Sequence, residues 1–91
     1  MDELPDAVSR FNHLTTLTVR HNQLEDLPMS LKTLVHLKDL DVAHNNFNEV
    51  PPVIFLSKSL INVNLKNNKI RFLSSAILDL RHLKSFDVSL N

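Results

Sequence analysis

Cysteine and glycine are both absent from this chain of 91 residues, and so are tryptophan and tyrosine. Without cysteine, the protein has no disulfide, no thiolate metal site and no thiol nucleophile. Without glycine, it lacks the glycine-rich loop that cradles phosphate groups in nucleotide-binding proteins. The composition therefore argues against several common classes of enzyme, and we expect no catalytic residue and no cofactor.

A surplus of charge and a long apolar stretch are also missing. The formal net charge is zero, but residues 1–50 hold eight acids and four Lys or Arg, whereas residues 51–91 hold two acids and six. No apolar run approaches the roughly 18 residues of a membrane span, and the acidic N-terminal segment does not resemble a signal peptide. We therefore expect a cytoplasmic, intracellular protein with no membrane span and no general attraction to nucleic acid.

Leucine and asparagine, in contrast, recur with a period of 23 residues. Each unit opens at one of Leu14, Leu37, Leu60 and Leu83, and its asparagine is one of Asn22, Asn45, Asn68 and Asn91. The period predicts a partial unit at 1–13, full units at 14–36, 37–59 and 60–82, and a truncated unit at 83–91. Together these units are expected to form a single domain over residues 1–91.

The pattern within one unit predicts its local structure. Leu17 and Val19 alternate with polar residues, as in a strand with one covered face, and Pro28 ends the extended segment. Leu31 and Leu34 then have helical or 3₁₀ spacing. One unit cannot bury its apolar edge alone, so we predict stacked units whose strands form a parallel sheet with a spacing of about 4.8 Å. The asparagines would form a structural ladder that satisfies backbone groups after each strand.

The segment LTTLTVRHNQLEDLP, residues 14–28, resembles the LxxLxLxxNxLxxLP pattern of leucine-rich repeat proteins. This resemblance implies an α/β solenoid with a short parallel β-sheet on the concave face and 3₁₀ or short helical returns on the convex face. The unit length and the prolines at 5, 28 and 51 are similar to the intracellular Ras-group subclass of Erbin- and Scribble-type scaffolds, although Ser74 departs from that pattern. The resemblance implies a non-catalytic signalling scaffold that binds a protein partner through its concave sheet.

The concave face is predicted from strand alternation, because an inward Leu17 leaves its neighbours pointing outward. Its expected protein-binding residues are Thr16, Thr18, Arg20, Asp39, Asp41, His44, Asn62, Asn64, Lys66, Ser85 and Asp87. Ala43 is also expected to point outward. The face lacks aromatic residues and has only Arg20 among the residue types that dominate binding energy. Its aspartates favour a partner with a basic segment, and a merely solvated sheet face is the alternative.

Two columns of histidines recur in the same frame: His21 with His44, and His13 with His36 and His82. Zinc sites usually need three or four convergent ligands, so we interpret these histidines as turn residues and expect no metal. No histidine, carboxylate and serine converge as a hydrolase requires. The cluster LKNNKIRF, residues 65–72, has too few positive charges for more than weak contact with nucleic acid.

The segment PPVIFLSKS, residues 51–59, breaks the pattern. Only Ile54 matches the core column, so Val53, Phe55 and Leu56 form a second candidate surface, an apolar patch on the convex side. Ser57 stands where an apolar residue is expected. The alternative interpretation is a local shift of register, in which Leu56 compensates for Ser57.

The ends of the array raise the question of what covers them, because solenoids need terminal capping repeats and the pattern contains none. The last predicted strand would have one free edge, which favours self-association through the C-terminal edge or continuation in a longer array. Three functional interpretations stay open. The leading one is the interaction module, the second is a partner- or substrate-selecting part of a larger enzyme or enzyme regulator, and the third is a spacer.

Overall fold

The computed structural model of the chain describes residues 3–80 and 82–91. Asp2 and Arg81, which contribute to the charge of the two halves, lie outside this range. Strands and short helices alternate along the described chain, and η denotes a 3₁₀ helix. In chain order the elements are η1 (Asp6–Arg10), β1 (Thr16–Thr18), η2 (Met29–Thr33), β2 (Asp39–Asp41), α1 (Pro52–Leu56), β3 (Asn62–Asn64), η3 (Ser75–Asp79) and β4 (Ser85–Asp87).

The four strands form one parallel sheet in the order β1-β2-β3-β4. Leu17 pairs with Leu40, Leu40 with Val63, and Val63 with Phe86, so the register advances by one repeat unit at each strand. Leu40 and Val63 are buried, whereas Leu17 and Phe86 are half-buried because edge strands have a neighbour on one side only. The predicted α/β solenoid with a parallel sheet and short helical returns is confirmed.

Prolines start three of the four returns. Pro5, Pro28 and Pro51 precede η1, η2 and α1 with φ values of −69°, −67° and −56°, close to the angle that the proline ring imposes. Ser74 has the same backbone conformation before η3, with φ −69°, and its Oγ accepts a hydrogen bond from the Ala76 N–H at 3.2 Å. A side-chain cap thus replaces the proline in the fourth return.

The core lies between the sheet and the returns. It consists of the inward strand residues and the periodic apolar positions of the loops and returns, and Leu24, Phe47 and Leu65 in it are completely buried. These three residues are not neighbours in sequence, and burial of their side chains is the main driving force that holds the units together. Strand, loop and return therefore each contribute one side of a continuous apolar interior.

The structure corrects two predictions for α1. Val53 is only 1% exposed, like Ile54, so its place in a convex surface patch was wrongly predicted. α1 packs against both η2 and η3, and a side chain directed toward a neighbouring return is therefore covered. The shift of register is also wrong, because Ser57 is buried and Leu56 remains 48% exposed. The Ser57 hydroxyl is satisfied by donating a hydrogen bond to the Val53 carbonyl at 2.9 Å.

Candidate functional site

The outward side chains of the four strands and of the residues just after them form the concave face. Every predicted binding residue on it is exposed or half-buried. In the first row, Thr16 Oγ1 donates to Asp39 Oδ2 at 3.3 Å, and Asn62 Nδ2 donates to Asp39 Oδ1. Ser85 continues the row on β4. Hydrogen bonds therefore connect side chains across β1, β2 and β3 and hold the Asp39 carboxylate between two donors.

The second row turns its polar atoms toward the backbone. Asp41 Oδ1 accepts from the Ala43 N–H at 3.1 Å, and Asn64 Oδ1 accepts from the Lys66 N–H at 2.9 Å. Asp87 Oδ1 accepts from both the hydroxyl and the N–H of Ser89, at 2.7 and 2.9 Å. These two bonds lower the pKa of Asp87, the hydroxyl having the larger effect. The side chains of this row thus stabilise the strand ends as well as facing solvent.

The third row contains the cationic residues. Arg20 and Lys66 occupy equivalent positions two residues after β1 and β3, and Ala43 holds the corresponding position after β2. Ala43 is completely buried, so it contributes no exposed surface to the concave face, contrary to the prediction. Arg20 Nη1 lies 3.6 Å from Asp41 Oδ2, which is the one ion pair found among the described residues. This distance is longer than that of a charge-assisted hydrogen bond, so the pair is loose.

The fourth row lies at the strand exits and has an unusual backbone. His21, His44 and Asn67 have φ values of 59°, 58° and 54°, in the left-handed region that usually favours glycine. The imidazoles of His21 and His44 stack with centroids 4.3 Å apart, and Asn67 Nδ2 lies 2.7 Å from His44 Nδ1. Histidine and asparagine tolerate this conformation better than most residues, which is how a chain without glycine makes these turns.

The electrostatic environment of His44 is positive. Partial burial lowers its pKa most, followed by the nearby charges of His21, Arg20 and Lys66, while Asp41 acts in the opposite direction. Each of these causes except Asp41 disfavours the imidazolium form. The strand-exit end of the concave face therefore carries a surplus of positive potential, whereas the first two rows carry the aspartates.

The asparagine column lies directly beneath this row. Asn45 Oδ1 accepts from the Leu24 N–H at 3.0 Å, and its Nδ2 donates to the carbonyls of Val19, Val42 and Ala43. Asn68 and Asn91 make the equivalent bonds one and two repeats further on. Asn22 donates to carbonyls of its own repeat. The amides of Asn45, Asn68 and Asn91 thus each join their own loop to the preceding one.

Sequence comparisons agree with this architecture. Family models of leucine-rich repeats match residues 35–91 and, separately, residues 13–34. The chain belongs to the leucine-rich repeat family. A solved leucine-rich repeat protein of Leptospira interrogans has a TM-score of 0.90 and 27% identity, and the match covers 97% of this chain and 22% of that one. The chain thus spans about a fifth of that protein's length. No curated protein matches it.

Leucine-rich repeat domains generally serve as protein-interaction modules and are typically not enzymes. In this leucine-rich repeat chain, no group of three or more described His, Asp or Glu side chains converges where a metal could bind. His13 and His36 stack with centroids 6.1 Å apart, but Ser59 takes the next position of their column and separates them from His82. Across residues 3–80 and 82–91, no helix has the length and apolar character needed to cross a membrane.

The convex patch predicted from Val53, Phe55 and Leu56 is exposed only in part. Phe55 is half-buried and packs against the core, so Leu56 is the only one of the three proposed patch residues that is largely exposed. Phe72 is more exposed, at 82%, although the predicted surface patch did not include it. The available signal was its position in the repeat, which Asp26 and Glu49 occupy in the two preceding units.

Proposed function

We propose that this chain is a non-catalytic interaction module that binds a protein partner through the concave face. The observation that supports this function is the hydrogen-bonded first row, in which Thr16, Asp39 and Asn62 are connected across three strands. Side chains held in this way lose little further conformational entropy when a partner binds, which favours their use in recognition. The face is accessible, polar and supported by a rigid core.

The chemistry of the concave face favours recognition by hydrogen bonds and charge. Arg20 is its only residue of the types that usually dominate binding energy, and its aromatic side chains are limited to the imidazoles at the rim. A partner with a basic segment stays a prediction. The exposed fraction of Asp39 and Asp41 supports it, although both carboxylates already accept hydrogen bonds within the repeat array.

The finer assignments are also proposals. The unit length and Pro5, Pro28 and Pro51 support the intracellular Ras-group subclass and, with it, a cytoplasmic signalling scaffold. The division into a partial unit, three full units and a truncated unit is supported by the sheet register. Self-association through the C-terminal edge stays a prediction, as does the alternative role in selecting partners for a larger enzyme or enzyme regulator.

A comparative capture from cell extract tests the function. The concave variant carries Asp39→Ala, Asn62→Ala and Ser85→Ala, which alter the first row without removing an acceptor of a backbone N–H. The control variant carries a matched set of exposed residues elsewhere, Asp79→Ala, Asn48→Ala and Ser75→Ala. Circular dichroism and thermal unfolding establish that both variants are folded.

We expect a protein that is retained by the wild-type chain and the control variant and lost by the concave variant. Equal capture by the two folded variants would contradict the use of the first row. Capture that is lost only in the control variant would move the site to the return side. The absence of any captured protein would contradict the interaction module under the conditions tested and favour the spacer.

A further inference from the structure

The two cations of the concave face are arranged around a gap. Arg20 and Lys66 hold equivalent positions two strands apart, which corresponds to about 10 Å between their backbone positions at the usual spacing of strands. The residue between them is Ala43, whose methyl group is buried. No long side chain therefore rises between the two cations from the intervening strand, and both can turn toward the same ligand.

His21 and His44 lie next to this gap, and contacts within the protein already hold the His44 imidazole in place. His44 is stacked on His21 at 4.3 Å, and its Nδ1 is engaged by the Asn67 amide at 2.7 Å. No hydrogen bond involves His44 Nε2 among the described residues, and this nitrogen remains available to a ligand. Contacts on two sides hold the imidazole in place, so little ordering is needed when a ligand binds.

Two carboxylates, Asp41 and Asp87, lie near Arg20, Lys66 and the histidine pair, and among the described residues neither makes a close ion pair with a cation. Asp41 faces Arg20 at 3.6 Å, and its other oxygen accepts the Ala43 N–H. Asp87 is close enough to Lys66 for that lysine to contribute to the lowering of its pKa. An exposed ion pair such as Arg20 with Asp41 stabilises by about 0–1 kcal/mol, so an anionic ligand can draw Arg20 away from that carboxylate.

We propose that Arg20, Lys66 and the His21–His44 pair form a binding site for an anionic oxygen group, a carboxylate or a phosphate, on a peptide segment of the partner. The inference rests on the proposed function and specifies the chemistry of one end of the concave face. Arginine supplies two parallel N–H donors to such a group, lysine a point charge, and the Nε2–H of His44 a further donor. The partner would then bear negative charge facing the strand exits.

A bound anion should favour proton uptake by His44. Burial most strongly, followed by His21, Arg20 and Lys66, disfavours the imidazolium form of His44 and lowers its pKa, and Asp41 favours that form. A bound anion would offset the positive charges, raise the pKa of His44 and hence bind more tightly as pH falls through the histidine range, near pH 6.5. Asp41 reduces this pH effect, because it already favours the imidazolium form of His44 in the free protein.

The test is a nuclear magnetic resonance titration of the whole chain, with the imidazole Cε1–H signals as the readout. Inorganic phosphate and, in a second series, acetate are added at constant ionic strength, so that the two arms distinguish phosphate from carboxylate recognition. We expect saturable shifts at His44 and His21, tighter binding of acetate, which keeps its charge over this range, near pH 6 than near pH 8, and no comparable shift at His13, which lies before β1.

The variants are Arg20→Gln with Lys66→Gln, and the matched control is Lys32→Gln with Lys58→Gln, two exposed lysines outside the concave face. Loss of charge-assisted hydrogen bonds should raise the half-saturating concentration at least about tenfold in the first pair and leave it unchanged in the second. Shifts that do not saturate with either anion, or that are equal in both variant pairs, would overturn the proposed site. Partner capture that still depends on the first row would then leave the proposed function standing.

Discussion

Asn68 connects two consecutive repeats through both ends of its side-chain amide. Its Oδ1 accepts hydrogen bonds from the N–H groups of Asn45 and Phe47, each at 3.1 Å. Its Nδ2 donates to the carbonyls of Leu65, in its own repeat, and Val42, in the preceding one. One buried side chain thus satisfies backbone groups that the tight loop after the strand leaves without partners.

We expect Asn68→Ala to destabilise the chain strongly. Buried backbone groups left without partners cost about 1–3 kcal/mol each. Because the substitution removes the partners of several such groups at once, we expect the free energy of unfolding to decrease by at least about 3 kcal/mol. Asn22→Ala is the matched control, because the hydrogen bonds of Asn22 to the described residues all go to carbonyls of its own repeat. Urea unfolding measures both, and equal losses would contradict the bridging role of Asn68.

The register of the sheet was predictable from the repeat period. An element that recurs every 23 residues places equivalent residues side by side, so Leu17 must meet Leu40 once the strands are parallel. The outward rows of the concave face follow from the same alternation. The repeat period and the alternation of apolar and polar residues therefore predicted the fold, the parallel sheet and which strand residues face outward.

Other features depend on three-dimensional contacts that a single repeat does not encode. Ala43 is buried although its position alternates outward, because its small side chain is covered when its neighbours are long. Val53 is buried because α1 packs between two other returns. The sequence did not predict the hydrogen bond between Asn62 and Asp39 or the stacking of His21 on His44. The repeat period places these residues in one row, but it does not set the direction of their side chains.

The corrected position of Val53 leads to a contrast within α1. Val53→Ala should lower the free energy of unfolding by about 2 kcal/mol, because buried methyl groups are removed and a cavity remains. Leu56→Ala should change it by less than about 1 kcal/mol, because the Leu56 side chain is 48% exposed. Thermal or urea unfolding of the two variants decides the matter. A larger loss for Leu56→Ala would restore the shifted register.

Phe72 provides a test of an exposed aromatic residue at a position where acids stand in two other repeats. Phe72→Glu should leave the free energy of unfolding within about 0.5 kcal/mol of wild type, because the ring makes few internal contacts. Ile70→Ala, two residues earlier and buried, should cost about 2–5 kcal/mol. Both are measured by urea unfolding. A comparable loss for Phe72→Glu would mean that the ring supports the core.

The last prediction concerns pH and His44. Its pKa in the folded chain lies below the ordinary value of 6.5, chiefly because of partial burial and then because of His21, Arg20 and Lys66. Below pH 6.5 the unfolded chain therefore binds more protons at this residue than the folded chain does. The contribution of His44 to the free energy of unfolding should fall as pH decreases through that value and stop falling below the folded pKa.

Urea unfolding across this pH range, with His44→Gln as the variant, measures the effect. The variant should lose the part of the pH dependence that His44 contributes, whereas His13→Gln, which alters an exposed histidine before β1, should retain it. His21→Ala should raise the pKa of His44 in a magnetic resonance titration, because it removes both a neighbouring positive charge and a stacked ring. An unchanged His44 titration in that variant would show that the stacked pair is not electrostatically coupled, and that burial with Arg20 and Lys66 accounts for the lowered pKa.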